Sequence, residues 1–434
     1  MSIQGALTKQ KYLLQLNLLQ KISSIDSIRN AWLKLNKSNQ ESHGVTGETI
    51  ASLKNNIDSI LESISKKLQE NRYRLSPTRA VLIPKEGGLR PLRVPEVRDR
   101  IVLKSLAIEL ETILNDELEK GNGVSFAYQK KLGIRDALQT LEKYYNDGFN
   151  FILKCDIVKF FDRIDREILL NEKLFKHLPD DSVNQLIHSA INQEVGNMNE
   201  IKPHLQKHFH NTELGIPQGN PLSPLFSNLY LSDFDLFMKS NNYRLIRYAD
   251  DFIVALNFEE DALNCFRDIE NYLSKHLSLE LHPLKESGKS KIIDLNKESI
   301  TFLGIEYDGK EMLPSRESID RLKGKVLDII HLKKDSNTVL ELLQDLKYTL
   351  EGWVAAYSFC KVEKFAREID QHIDRLILKP LNRFGWKLTS NSKGKLDRKL
   401  RKKNSSYDRL SDRQRIYSGI PTTNQILDRL RDNE

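Results

Sequence analysis

Two adjacent carboxylates, Asp250 and Asp251, stand inside an apolar run, RYADDFIV, from Arg247 to Val254. Neighbouring acids repel, and burying either without a partner is costly. The flanks, YRLIRYADDFIVAL, read as a hairpin with both acids at or near its tip. A third acid, Asp156, ends a separate apolar strand, FILKCDI. A strand ending in Asp offers its carboxylate at a sheet edge, where a ligand reaches it. Two such strands can place three carboxylates together. That donor set suits magnesium, which takes oxygen ligands and binds through a few carboxylates plus substrate phosphates. Two divalent ions roughly 3.5–4 Å apart would relieve the repulsion and clamp both oxygens of an in-line phosphoryl displacement. Taken alone, ADD also reads as a polar turn, because Asp is a common turn residue.

The elements that must position these acids are legible as patterns. Over residues 1–75, SIRNAWLKLNK and ETIASLKNNIDSILESISKKLQENRY repeat apolar residues at three- and four-residue spacing, which predicts helices. Thr46 or Gly47, in the turn between them, is a candidate cap for the second. AVLIPKEGGLRPLRVPE predicts two short strands around a KEGG turn, and RDRIVLKSLAIELETILNDELE predicts a helix. After FILKCDI, the stretch DREILLNEKLF turns helical. GIPQGNPLSPLFSNLYLSDFDLFM predicts a turn and then a helix, and EEDALNCFRDIENYLSKHLSL an amphipathic helix. SITFLGIEYD reads as a strand and turn. From about Ser315 the pattern is helical to about Lys379, where Pro380 offers a stop. Strands and helices alternate without a strict βαβ rhythm, which predicts an α+β fold.

Bulk properties narrow the class. The 434 residues suffice for two to four domains. No apolar run approaches the roughly 18–20 residues of a membrane span, and the N-terminus lacks a signal-peptide layout, so a cytoplasmic protein with no membrane partner is expected. Three well-separated cysteines, Cys155, Cys265 and Cys360, argue against a disulfide framework or a structural zinc site. The net charge of +7 favours a polyanionic partner, nucleic acid first. The basic stretch from Trp386 to Leu410 fits that, although charge runs are often only solvated surface. In PHLQKHFH, His204 and His208 have the i, i+4 spacing of a metal pair, but a polar loop is the better reading.

The motifs in order resemble the reverse transcriptases, and in particular the group II intron-like bacterial enzymes. YADD (248–251) resembles their catalytic box, and DIVKFFDRID (156–165) their first carboxylate motif. GIPQGNPLSPLFSNLYL (215–231) resembles the Pro-Gln-Gly motif that contacts template and incoming nucleotide. SGKSKI (287–292) resembles the lysine motif that follows, and FLGIEY (302–307) the primer grip. NAWLKLN…GVTGETI and LIPKEGGLRPLRVPEVRDRIVLKSL resemble the N-terminal and fingers blocks.

The resemblance implies a right-hand polymerase fold: an N-terminal helical extension (1–75), fingers (76–150), palm (151–312), helical thumb (313–380) and a basic C-terminal segment (381–434). It implies an RNA-directed DNA polymerase using two Mg2+ ions, with Mn2+ as a substitute. Deoxynucleoside triphosphates would be its substrates and DNA its product. Asp156, Asp250 and Asp251 would be metal ligands, joined by the backbone carbonyl of Ile157. Phe161 would be the steric gate, a ring that clashes with a 2′-hydroxyl. On an extended chain it cannot point the same way as Phe160. Gln218 and Gly219 would line the nucleotide pocket, with glycine allowing close backbone approach. Lys85 and Arg90 would hold triphosphate, and Lys289 would be a general acid toward pyrophosphate. Phe302, Leu303 and Gly304 would be the primer grip. Lys399, Arg401, Lys402 and Lys403 would bind structured RNA through phosphates.

No endonuclease motif follows the thumb, and the motifs of retron enzymes are not in their usual places. The chain most resembles the stand-alone, defence-associated reverse transcriptases. Some of these copy a dedicated noncoding RNA in phage defence; an intron maturase or retron-like enzyme is the alternative.

Overall fold

The computed structural model describes residues 16–35, 39–85, 88–210, 213–332, 339–383, 415 and 418–432. The chain divides into two compact units, Met1–Ile292 and Ile293–Glu434.

The first unit opens with helices whose starts are written in the sequence. Asn17 and Gln20 form a reciprocal capping box ahead of Leu18–Ser23. Ser24 caps α1 (Ile25–Lys34), and Thr49 with Ser52 caps the turn Ile50–Leu53. The cap expected at Thr46 or Gly47 therefore falls at Thr49. Thr46 is otherwise engaged: its N–H and Oγ1 each donate to Glu96, both at 2.8 Å. Helix α2 (Ile57–Gln69) and helix α3 (Val97–Ile113) complete this block. Ile28, Trp32, Leu61, Ile64, Val97 and Ile101 lock its helices into one apolar cluster. Between them, β1 (Arg79–Lys85) and β2 (Gly88–Val94) pair antiparallel, from Arg79 opposite Val94 to Lys85 opposite Gly88.

Asp99 on α3 is 1% exposed and accepts from the Tyr73 hydroxyl and the Ser76 N–H, at 2.8 and 2.9 Å. A cavity of about 830 Å³ lined by Tyr73, Arg74, Glu96, Arg98 and Asp99, among others, opens beside it. Burial pushes the Asp99 carboxyl up to about 6, against the pull of those two donors. The folded state then holds a proton more tightly than the unfolded chain, so this group's contribution to stability falls as pH rises from about 4 to about 6. Asp99→Asn is expected to remove that fall, worth about 3 kcal/mol. Urea unfolding of both proteins at about pH 4 and pH 7, which brackets the window, checks it: wild type alone should lose stability through this group.

The rest of the first unit is built on a sheet. Helix α4 (Ile134–Asn146) leads into β3 (Phe151–Cys155), of which Ile152, Leu153 and Cys155 are buried. The expected helix after it is a π-helix, Ile168–Leu174. Helix α5 (Ser223–Ser240) precedes the hairpin of β4 (Arg244–Tyr248) and β5 (Asp251–Leu256), and α6 (Glu259–Leu277) follows. With β6 (Lys291–Asp294) the strand order is β4-β5-β3-β6. Strand β5 lies between its sequence neighbour β4 and the distant β3, antiparallel to both. Its residues 252–256 are buried, and Phe234 of α5 meets Phe252 edge-on at 5.5 Å.

In the second unit β7 (Ile300–Phe302), β8 (Ile305–Tyr307) and β9 (Met312–Pro314) form an antiparallel sheet in sequence order. Helices α7 (Arg316–Leu332), α8 (Val339–Ala356) and α9 (Glu363–Arg383) follow. The stop expected at Pro380 is absent: α9 continues through it. Pro380 and Leu381 are buried, so packing outweighs the hydrogen bond that proline cannot make. A further helix, α10 (Thr423–Arg431), rests on α8 and α9. Buried Arg415 ties this return to α9 through Asp370 at 3.0 Å and Asp374 at 3.3 Å. Helices and antiparallel sheets in both units make the fold α+β.

Candidate active site

The register of the sheet brings two of the three acids together. The paired register ends at Cys155 opposite Phe252, so Asp156 leaves β3 where Asp251 begins β5, and the charge of Asp156 reaches Asp251. Asp250 lies in the two-residue turn that joins β4 to β5. The Asp251 carboxyl is pushed up to about 6. Crowding by protein atoms is the first cause and the negative charges of Asp250 and Asp156 add to it, while Lys154 and Arg90 oppose. The crowding is that of an open rim, since Asp251 is solvent-exposed. The three acids therefore feel one another, which is the condition a divalent cation relieves. Among the described residues no three His, Cys, Asp or Glu side chains are gathered closely enough to hold a metal ion as they stand. An open set of hard oxygen donors fits magnesium, which keeps waters and substrate phosphates in its shell.

Asp156 is held from two sides. Its N–H donates to Ser290 Oγ at 3.2 Å, and its carbonyl accepts from the His282 N–H at 2.9 Å. Its carboxylate meets Lys289 Nζ at 3.0 Å, with His282 Nε2 at 3.9 Å. Lys289, expected to act on pyrophosphate, thus sits directly on the first carboxylate, its side chain 65% exposed and able to swing. Ile157 is buried and bridges to Leu281.

The Pro-Gln-Gly segment docks onto the turn that follows Asp156. Ile216 N–H donates to the Phe161 carbonyl at 2.8 Å and Gly215 N–H to that of Ile164 at 2.7 Å. Phe160–Arg163 is a helical turn rather than extended chain, so Phe160 and Phe161 diverge by helical rotation. Phe160 is buried; Phe161 is half-buried, its ring edge-on to Phe160 at 5.3 Å. Gly219, at φ +101°, does make a close approach, but to this chain's own Arg93: a Cβ there would stand 2.7 Å from the Arg93 carbonyl oxygen. The Arg93 N–H donates to the Gln218 carbonyl at 2.8 Å, so the β1–β2 hairpin and the candidate nucleotide pocket are joined.

Several residues that complete the site have no motif to announce them. Arg247 is 1% exposed and forks onto Asp235 of α5, Nε to Oδ1 at 2.7 Å and Nη2 to Oδ2. Its Nη1 donates to Asn228 Oδ1 at 3.1 Å and to the Ala249 carbonyl at 2.9 Å. Tyr128 is 56% exposed at φ +60°. Its hydroxyl is pushed above the usual tyrosine range, first by surrounding protein and next by the charge of Asp250. Arg247 begins RYADD, yet nothing in that string says its guanidinium turns inward; Tyr128 lies in an irregular stretch.

The remaining expected residues are dispersed. Arg90 is exposed on β2, and Lys85 ends β1. Phe302, Leu303 and Gly304 belong to the second unit. There Leu303 (φ +55°) and Gly304 (φ +78°) form the two-residue turn between β7 and β8. The Gly304 carbonyl accepts from Ser315 N–H and Ser318 Oγ, both at 2.9 Å. Lys399, Arg401, Lys402 and Lys403 lie outside the described residues.

Residues 83–307 match the family model for reverse transcriptase (RNA-dependent DNA polymerase), over half of the chain. The chain belongs to that family. It is 28% identical over 315 residues to the putative COX1/OXI3 intron 2 protein of Saccharomyces cerevisiae, covering 58% of this chain and 34% of that one. It is 26% identical over 235 residues to the group II intron-encoded protein LtrA of Lactococcus lactis, covering 54% and 35%. The chain thus spans about a third of the length of these curated relatives. Among solved structures, a partial Cas6-RT-Cas1–Cas2 complex is similar at 23% identity and a TM-score of 0.35, over 60% of this chain and 43% of that chain. No helix among the described residues is long and apolar enough to cross a membrane.

Proposed function

We propose that this protein is an RNA-directed DNA polymerase working by two-metal nucleotidyl transfer, on a dedicated noncoding RNA, in phage defence. The observation that carries the chemistry is the β3–β5 register, which sets Asp156 against Asp251 beside the Asp250 turn, with the Pro-Gln-Gly segment docked alongside. Asp156, Asp250 and Asp251, with the Ile157 carbonyl, would hold the two Mg2+ ions, or Mn2+ in their place. When bound, those ions would activate the primer hydroxyl and neutralise charge on the phosphates. Phe161 would exclude a 2′-hydroxyl, Gln218 and Gly219 would seat the nucleotide, and Lys85, Arg90 and Lys289 would meet its phosphates. The charge of Arg90, felt at Asp251, supports that role for it. Phe302–Gly304 would grip the primer, and Lys399, Arg401, Lys402 and Lys403 would hold the RNA.

The intron-encoded relatives favour a second reading, a maturase or retroelement enzyme. Sequencing the RNA that co-purifies from cells, and the DNA copied from it, separates the two. One structured RNA with complementary DNA, lost in Asp250→Ala, is the expected result. Excised intron RNA would establish the maturase reading, and diverse RNA without DNA in infected and uninfected cells would overturn the polymerase.

A further inference from the structure

We propose that Arg247 is the positioning residue of the catalytic turn, orienting Asp250 and Asp251 for metal through its hold on the Ala249 carbonyl. The inference rests on the polymerase reading of the site, but its own readout does not. Ala249 stands at φ +60°, left-handed backbone that its Cβ disfavours. Something must hold it there, and the Arg247 Nη1 donates to its carbonyl at 2.9 Å. The guanidinium is fixed in turn. Asp235 takes two of its donors, and Nη1 also reaches Asn228 Oδ1 at 3.1 Å. Asp235 and Arg247 are each 1% exposed. A buried ion pair is a weak source of stability, because apolar residues of similar shape often serve as well. A specific geometry is the better reason for one here.

The backbone around the pair is equally determined. Arg247 N–H donates to the Val124 carbonyl at 2.7 Å, and the Arg247 carbonyl accepts from Phe126 at 2.9 Å. Asn228 Nδ2 secures the Ala127 carbonyl at 2.9 Å. A Cβ at Gly121 would stand 2.7 Å from Asp235 Oδ2, so the chain passes close behind the acid. Helix α5, the strand before the turn and the segment before Tyr128 all converge on Arg247, the helix and the turn on its guanidinium and the segment on its backbone. Arginine's planar fork serves several acceptors at once; a lysine ammonium can keep Asp235 but lacks that fork.

Mn2+ binding to the nucleic-acid-free full chain, read by electron paramagnetic resonance, tests this together with amide exchange over Ala249–Asp251. Arg247→Lys is expected to weaken Mn2+ binding about 10–100-fold, the range seen when a group that orients metal ligands is lost. Exchange at the turn should quicken, and kcat for incorporation should fall more than KM for nucleotide rises. Leu61→Ala, a core change in α2 within the separate N-terminal helical cluster, supplies a control of lowered stability; it should leave Mn2+ affinity unchanged. Wild-type Mn2+ affinity and exchange in Arg247→Lys would overturn the proposal, as would an equal loss in Leu61→Ala. Should Arg247→Lys not fold, Asn228→Ala keeps the ion pair and tests the same hold. A smaller loss in the same direction supports it, and no change overturns it. If wild type binds Mn2+ but incorporates no nucleotide, the polymerase reading fails while the positioning claim is still decided by metal binding.

Discussion

Asp156→Ala is expected to lower nucleotide incorporation on an RNA template by at least about 10³-fold, with RNA binding nearly unchanged. The loss should be chemical rather than structural. The residue is held through its backbone, by Ser290 Oγ and the His282 N–H, and its side chain is 29% exposed rather than packed in the core. The carboxylate meets Lys289 at 3.0 Å and, more distantly, His282. Replacing it with a methyl leaves no cavity to collapse and no buried polar group behind. Primer extension with radiolabelled deoxynucleotide, beside filter binding of the same RNA, measures both quantities. Synthesis at the wild-type rate would remove Asp156 from the metal site. Equal loss of RNA binding would make its role structural.

The second large effect is expected at Gly215. Its φ is +82°, and a Cβ there would lie 2.8 Å from the carbonyl oxygens of both Phe161 and Asp162. Neither oxygen can yield. Phe161's accepts from Ile216 N–H, and the helical turn beneath is pinned by the Gly215 N–H itself. Arg166 Nε also donates to the Gly215 carbonyl at 2.6 Å, closing the third side. Gly215→Ala combines left-handed strain with a backbone clash and is expected to cost about 3 kcal/mol or more. Because Phe161, the proposed steric gate, sits on the far side of that clash, selection against ribonucleotides should weaken as well. Thermal unfolding and a comparison of ribo- with deoxynucleotide incorporation check the two halves. An unchanged melting temperature would show that the turn has room to move.

The sequence pattern carries the elements well because their local signals agree. The YADD hairpin, the KEGG hairpin and the amphipathic helices each have period, turn and cap pointing the same way. It fails where tertiary partners decide. Thr46 has the chemistry of a cap, but Glu96, fifty residues on, takes its donors. Pro380 ends a helix by local rule, and packing carries α9 past it. The three acids are legible because adjacent carboxylates among apolar residues need explaining. Arg247 is hidden because an arginine on a strand reads as surface, and only the position of Asp235 on α5 turns it inward. Gly219 is legible as a close approach, but its partner, Arg93, is not.

The pairing of β3 with β5 also governs how the chain is made. Phe151 meets Leu256, about a hundred residues later, so β3 has no partner on that side when it first leaves the ribosome. At 5–20 residues per second the delay is about 5–20 s, long beside the microseconds of hairpin closure. Throughout it FILKC, apolar and strand-forming, is exposed to other nascent chains. The β4–β5 hairpin closes locally as soon as it emerges, and the catalytic sheet then forms in one late docking event. Synonymous codon changes that slow translation between residues 156 and 250 should therefore lower the yield of active protein, although every amino acid is unchanged.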